Sequence, residues 1–179
     1  MAGQETHHIL PLPAFDAPVK ALIVVAPYYK DIADDLVAGA TAVLEKAGAT
    51  WEIVEVPGAL EIPTAISLAH RMSNFDAYVA LGCVIRGETT HYDTVCNDSS
   101  RGLMLLGIER GLCVGNGILT CETMAQAEAR ANPAEMDKGG GAAAAAVHLI
   151  ALARRFRGGP AGPEADVMTA AVSAQSRTA

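Results

Sequence analysis

Aromatic residues are scarce in this sequence, which has one tryptophan, four tyrosines and three phenylalanines among 179 residues. Long apolar runs are also missing. Hydrophobic residues make up 51% of the chain, but glycine, proline or charge interrupts them well short of a membrane span. No basic flank with an apolar core opens the sequence, so we predict no secretory signal. We therefore expect no membrane partner. The length of the chain suits one domain with a sizeable core.

Positive charge is also scarce. Lysine and arginine total 13 against 20 acidic residues, which gives a net charge of −7. The only basic cluster is at residues 154–157, so nucleic acid is not an expected partner. The four cysteines contain no CxxC pair and two of them lie in apolar runs. They therefore indicate reduced thiols of a cytosolic protein, and neither a disulfide framework nor a zinc site.

Several catalytic signatures are absent as well. The sequence has no GxGxxG, GxSxG or HExxH motif. The glycine run at residues 139–141 is not followed by the Lys-Ser/Thr of a phosphate-binding loop. Nucleotide hydrolysis, serine hydrolysis and zinc proteolysis therefore lack the residues they need.

Strand-like and helix-like segments alternate along the chain. Apolar runs predict strands at residues 21–26, 51–56, 75–85 and 112–120, the last interrupted at 115–117. Helical patterns begin near Asp31, Pro63, Tyr92, Thr123 and Gly141. This alternation predicts an α/β domain with a parallel sheet covered on both faces. We place the domain at residues 19–157, between an extended arm at 1–18 and a tail at 158–179 that we expect to be disordered.

The segment GETTHYD at residues 87–93 is the most informative part of the sequence. It joins the end of a buried-strand pattern to the start of a helical one. Free N–H groups at a helix start favour an anion, and the hydroxyls of Thr89 and Thr90 can supplement them. His91 adds a side chain that transfers protons near neutral pH. The segment therefore predicts an anion site beside an acid/base, although helix capping explains His91 equally well on this pattern alone.

Three further turns follow predicted strands, at residues 28–29, 57–61 and 121–123. The carboxyl ends of parallel strands meet at one edge of a sheet, so we expect all four turns to lie together. Simpler interpretations remain open. The tyrosines at 28 and 29 could pack in the core, and Glu61 could merely complement a helix dipole. Arg130 and Lys138 could be solvated, although an arginine fork would suit a phosphate.

Two of these segments resemble the lumazine synthase family of riboflavin biosynthesis. They are VPGALEIP at residues 56–63 and LGCVIRGETTHYD at 81–93, within a similarity that extends over about 20–156. The resemblance implies a flavodoxin-like three-layer α/β/α sandwich with a central four-stranded parallel sheet. It implies a transferase that condenses 5-amino-6-(D-ribitylamino)uracil with 3,4-dihydroxy-2-butanone 4-phosphate. The products would be 6,7-dimethyl-8-ribityllumazine, phosphate and water, and neither a metal nor an organic cofactor is implied.

The resemblance also implies a role for individual residues. His91 would transfer protons, while Glu88, Thr89 and Arg130 would bind the phosphate. Thr90 and Lys138 would support these groups. The ribitylaminouracil would be bound by a set of residues from several turns, namely Tyr28, Ala59, Leu60, Glu61, Cys83, Val84, Ile85 and Asn116.

Family members form homopentamers or multiples of pentamers, including decamers and sixty-subunit shells, and two subunits share each site. The regions of Asn116 and Arg130 would come from the neighbouring subunit, and the arm could extend a neighbour's sheet. The resemblance adds riboflavin synthase as a candidate partner. This chain departs from the family at Pro27-Tyr28-Tyr29, where Arg-Phe-Asn is usual, and at Asn116, where an aromatic residue is common. Both changes alter the pocket more than the reaction class.

Two alternatives compete with the synthase hypothesis. The altered pocket could belong to a homologue that binds a flavin or lumazine, or forms a shell, without catalysis. Without the resemblance, the same pattern also suits a flavodoxin-like domain that binds FMN or a sugar phosphate and transfers electrons.

Overall fold

The computed structural model describes residues 10–158, and a four-stranded parallel sheet forms its centre. The strands are β1 (Lys20–Val25), β2 (Thr50–Glu55), β3 (Ala77–Ile85) and β4 (Val114–Cys121). Their order is β2-β1-β3-β4, and every neighbouring pair is parallel. The parallel sheet expected from the alternating pattern is confirmed.

Helices cover both faces of the sheet. Those in the described residues are α1 (Lys30–Lys46), α2 (Glu61–Met72), α3 (His91–Arg110), α4 (Met124–Ala131) and α5 (Lys138–Arg157). One apolar cluster joins α1, α4 and α5 to one face, and a second joins α2 and α3 to the other. The three-layer sandwich is therefore confirmed. No helix within residues 10–158 is long and apolar enough to cross a membrane.

Burial explains which apolar runs are continuous. Residues 21–25 of β1 and 77–81 of β3 are buried on both faces, as an unbroken apolar run in a central strand requires. Strand β2 lies at the edge of the sheet, and its residues Ile53 and Val54 remain 46% and 42% exposed. Helices thus cover both faces of the sheet, and within residues 10–158 no further strand pairs with the outer edge of β2.

The predicted break in the fourth strand was wrong. β4 runs without interruption through residues 115–117. A Cβ at Gly115 would lie 1.9 Å from the carbonyl oxygen of Ala142, and one at Gly117 would lie 2.7 Å from Leu81 Cδ2. These glycines therefore allow α5 and β3 to approach the strand closely, and they do not mark a turn.

The last helix begins at Lys138, three residues before the predicted start at Gly141. Asp137 precedes it, and its carboxylate accepts a hydrogen bond from the Gly140 N–H at 2.9 Å. This N-cap starts the helix just before the glycine run at residues 139–141, which helix propensity alone disfavours.

Substitutions within this glycine run should separate packing from helix propensity. A Cβ at Gly139 would lie 2.0 Å from the Leu36 carbonyl oxygen, whereas one at Gly141 would meet nothing within 4 Å. We expect Gly139→Ala to destabilise the fold by about 2 kcal/mol, because overpacking outweighs the gain in propensity. Gly141→Ala should stabilise it by up to about 1 kcal/mol. Urea unfolding at one protein concentration measures both, and equal effects would contradict this packing.

The described part of the arm packs on its own domain. Leu12 and Phe15 contact the core cluster that contains α1 and α5. Arg154 on α5 donates hydrogen bonds to the carbonyl oxygens of Ala17 and Pro18 at 3.0 and 2.9 Å. Residues 1–9 and 159–179 lie outside the described part, so the expectation of a disordered tail stays a prediction.

Candidate active site

Unequal strand lengths create a cavity at the carboxyl edge of the sheet. Val25, the last residue of β1, pairs with Leu81, while β3 continues to Ile85 beside β4. Just after β1 ends, the Ala26 N–H donates a hydrogen bond to the Leu81 carbonyl of β3 at 2.9 Å. Beyond it, the backbone of β3 has no strand partner on its β1 side. A cavity of about 540 Å³ lies beyond the end of β1, beside residues 83–85 of β3 and between the first turns of α2 and α3.

Most of the residues proposed for the site line this one cavity. They are Tyr28, Ala59, Leu60, Glu61, Cys83, Val84, Ile85, Thr89 and His91. Three of the four predicted turns therefore meet here. The fourth turn, at residues 121–123, lines neither this cavity nor the second one described below. Glu88 and Thr90 belong to the His91 turn but are not among the lining residues.

His91 is the first residue of α3. Its N–H donates to the Thr89 hydroxyl at 3.4 Å, and Thr90, at the N-cap, makes no side-chain capping bond. The positive end of the helix dipole therefore lies beside the imidazole. Because His91 is exposed and lines the cavity, the geometry permits both an anion and a proton-transfer residue at this turn.

Tyr28 forms the rim of the cavity and is 75% exposed. Its ring meets the ring of Tyr29 edge-on, with centroids 5.0 Å apart at an angle of 73°. A core-packing role would bury this ring, so the structure disfavours that alternative for Tyr28. The exposed ring is available to stack on a flat ligand.

A second cavity, of about 420 Å³, lies along the outer edge of β4, the last strand of the described sheet. Asn116 lines it together with two cations, Arg130 from α4 and Lys138 from α5. The Arg130 guanidinium donates to the Gln126 carbonyl at 3.0 Å, which fixes its position on the helix. Within residues 10–158 the two cavities share no lining residue. The structure therefore separates the proposed site residues of one chain into two groups.

The sequence did not assign to the site seven residues that line the first cavity, namely Ala26, Tyr29, Pro57, Gly58, Gly87, Tyr92 and Val95, nor Arg86 beside it. Tyr92 lines the first cavity, and the Arg86 guanidinium lies over its ring at 4.0 Å from the centroid. Arg86 also forms ion pairs with Asp93 and Glu122. Tyr92 follows His91 directly and could have been included on that ground. The ion pair with Glu122 could not, because it joins residues 36 positions apart that only the fold brings together.

The thiols near the cavity are neutral. Burial, followed by the neighbouring Cys121, raises the pKa of Cys83 to about 12. Burial is also the main cause that raises the pKa of Cys96, Cys113 and Cys121. No group of three or more His, Cys, Asp or Glu residues in the described part of the chain could hold a metal ion. Cys83 therefore lines the cavity as a neutral thiol and is not a nucleophile.

Alkylation should show this neutrality. At pH 8 a thiol with a pKa of about 12 is ionised in roughly one molecule in ten thousand, so we expect Cys83 to resist iodoacetamide in the folded protein. The same upward shift makes folding stability fall as the pH rises above about 8.5, where only the unfolded thiol ionises. Peptide mass mapping before and after urea measures the labelling. Rapid modification of Cys83 in the folded state would contradict its burial.

Comparison with known proteins gives one consistent result. The family model described as 6,7-dimethyl-8-ribityllumazine synthase matches residues 18–154. A 6,7-dimethyl-8-ribityllumazine synthase of Jannaschia sp. (strain CCS1) is 57% identical over 162 residues, which cover 90% of this chain and 89% of the relative. Relatives with the same description from Methylobacterium radiotolerans and Novosphingobium aromaticivorans are 56% and 53% identical, over 79% and 76% of this chain. These matches cover 87% and 98% of the two relatives.

Proposed function

Because this chain belongs to the 6,7-dimethyl-8-ribityllumazine synthase family, we propose that the cavity beside His91 is where its reaction takes place. The chain carries the lumazine synthase activity of riboflavin biosynthesis, a transferase reaction. It condenses 5-amino-6-(D-ribitylamino)uracil with 3,4-dihydroxy-2-butanone 4-phosphate to give 6,7-dimethyl-8-ribityllumazine, phosphate and water. One observation carries the placement: Tyr28, Glu61 and the His91 turn converge on the same cavity.

The ribitylaminouracil fits the wall formed by β3 and the turn before α2. Backbone groups of Cys83 and Ile85, beyond the end of β1, suit the amide edge of a pyrimidine. The exposed ring of Tyr28 suits its flat face. Glu61, at the first position of α2, offers a carboxylate to the ribityl hydroxyls. Ala59, Leu60 and Val84 fill the rest of this wall.

The phosphate fits the start of α3. Thr89 supplies a hydroxyl, Glu88 and Thr90 supply backbone groups of the same turn, and the helix dipole favours the negative charge. His91 then lies next to the reacting carbons of the bound ketone. Imine formation, loss of phosphate, ring closure and dehydration each move a proton, so one imidazole in this place serves several steps. Holding the two substrates together supplies much of the remaining rate.

Arg130, Lys138 and Asn116 complete the site from a neighbouring subunit in this proposal. The support is that these residues line a separate cavity at the outer edge of β4 in their own chain. Helix α3 also leaves an apolar surface uncovered, with Met104 61% and Ile108 74% exposed. Such a surface suits contact with another copy of the chain. We propose a homopentamer; its multiples, a riboflavin synthase partner and a cytoplasmic location stay predictions of the sequence.

Turnover by purified protein tests the proposal. Lumazine formation from both substrates is followed by absorbance, and light scattering sizes the same sample. Turnover by a pentamer or a multiple of it is the expected result. Tight binding of lumazine without product, by a correctly sized assembly, would favour the non-catalytic alternative. Uptake of FMN without turnover would favour the flavodoxin-like alternative.

A further inference from the structure

The guanidinium of Arg86 connects three elements at the edge of the sheet. It follows the last residue of β3, and its Nε donates to both carboxylate oxygens of Glu122, at 2.8 and 3.1 Å, just after β4. Its two Nη atoms donate to the Asp93 carboxylate in the first turn of α3, at 3.2 and 3.4 Å. Its planar face lies on the ring of Tyr92 at 4.0 Å. Two of these three contacts, with Asp93 and Tyr92, are therefore made to the first turn of α3, and the third joins it to the end of β4.

Beyond the long bond from the His91 N–H to the Thr89 hydroxyl, at 3.4 Å, the start of α3 depends on the contacts of Arg86. Thr90 makes no side-chain capping bond, and residues 87–90 form a turn that is exposed throughout. Asp93 is the acidic residue of the first helical turn, and Arg86 is its ion-pair partner. Tyr92 lines the cavity, and the Arg86 guanidinium covers its ring face. His91 directly precedes Tyr92 and Asp93 in this first turn, so the backbone that carries the imidazole is held through both of these residues.

We propose that Arg86 is a positioning residue, which holds His91 and the phosphate turn in reactive alignment through Asp93, Tyr92 and Glu122. This inference rests on the function proposed above. Arg86 does not line the cavity; among its three partners Tyr92 does, and it follows His91 directly. An arginine suits this place because its planar fork binds two carboxylates at once and stacks on a ring, whereas a lysine offers a point charge.

The ion pairs contribute more to geometry than to stability. The side chains of Arg86, Asp93 and Glu122 are 38%, 52% and 56% exposed, and solvent-exposed ion pairs stabilise folds only slightly. Small misplacement of a catalytic group, in contrast, lowers the reaction rate strongly. Loss of Arg86 should therefore lower kcat while leaving unfolding temperature and assembly nearly unchanged.

Four variants test the proposal. Arg86→Met removes the guanidinium and keeps the stem, Arg86→Lys keeps the charge, and Asp93→Asn removes the main partner on α3. Arg101→Met is the control, because Arg101 pairs with Asp98 on the same helix and lines neither cavity. We expect Arg86→Met to lower kcat about tenfold or more, with the KM for the ribitylaminouracil within about twofold. Arg86→Lys should recover only part of this loss, and Arg101→Met should behave as the parent protein.

A double-mutant cycle gives the second readout. Arg86→Met should lower kcat by a much smaller factor in an Asp93→Asn background than in the parent, because the two residues act as one unit. A kcat for Arg86→Met within twofold of Arg101→Met would overturn the inference, as would full recovery by lysine or additive losses in the cycle. If Arg86→Met fails to assemble, Arg86→Lys and Asp93→Asn decide the question. Absence of turnover by the parent would refute the proposed function itself, and this is distinct from unaffected variants of an active parent.

Discussion

Replacement of His91 by alanine is expected to lower kcat by about 10²-fold, with the assembly intact. Transfer of protons by a positioned side chain commonly contributes a factor of about 10² to 10⁴. We expect the lower end, because holding two substrates together also accelerates the reaction and survives the substitution. His91 is exposed at the first position of α3, so its loss leaves the core unchanged.

Steady-state kinetics at several pH values measures this effect. His91→Gln keeps a polar side chain of similar length without a titrating group, and it should be nearly as slow as the alanine variant. His148→Ala is the matched control, because His148 lies within α5 and lines neither cavity. The KM values should change less than kcat, since a proton-transfer role acts in the transition state. An unchanged kcat for His91→Ala would remove it as the proton-transfer residue.

Mixed assemblies should regain activity that neither parent variant has. His91 and Arg130 line different cavities of one chain, and we propose that a complete site combines them from two neighbouring subunits. Arg130→Ala should be slow because the guanidinium fork that completes the phosphate contacts is lost. If His91→Ala and Arg130→Ala chains are assembled at equal amounts, about a quarter of the sites obtain both intact residues.

The design distinguishes a shared site from a site within one chain. Joint unfolding and reassembly of the two variants should raise the activity well above their mean. A second mixture, of parent chains with the double variant His91→Ala/Arg130→Ala, should retain about a quarter of the parental activity for shared sites and about half for unshared ones. Activity that stays at the mean of the two single variants would contradict the shared site.

Local chemistry allowed much of the fold and of the first cavity to be predicted. The apolar runs at residues 21–25 and 77–81 are continuous because both faces of these strands are buried. The positions of Glu61 and His91 followed from the rule that parallel strands end at one edge. Hydrophobic periodicity and turn chemistry depend on residues that are close together in the sequence. Features that depend on such local patterns are the easiest to predict from a sequence.

The errors arose where distant segments decide the outcome. Glycine at residues 115 and 117 usually indicates a turn, but here α5 and β3 lie against the strand and require the missing side chains. Arg86 acquires its role only when β3, α3 and the end of β4 are adjacent. The separation of Arg130 from the first cavity was not such an error, because the resemblance assigns that region to a neighbouring subunit.

The outer edge of β2 gives the unassembled chain a particular vulnerability. Ile53 and Val54 are exposed on a strand whose outer backbone groups have no partner strand among residues 10–158. Such an edge can recruit a strand from any other chain and so begin aggregation. Glu52 and Glu55 place negative charge on the same strand, and repulsion between copies opposes this pairing. In the assembly proposed above, a newly synthesised chain is therefore safest when it meets its neighbours quickly, and the acidic side chains of β2 oppose wrong strand pairing until then.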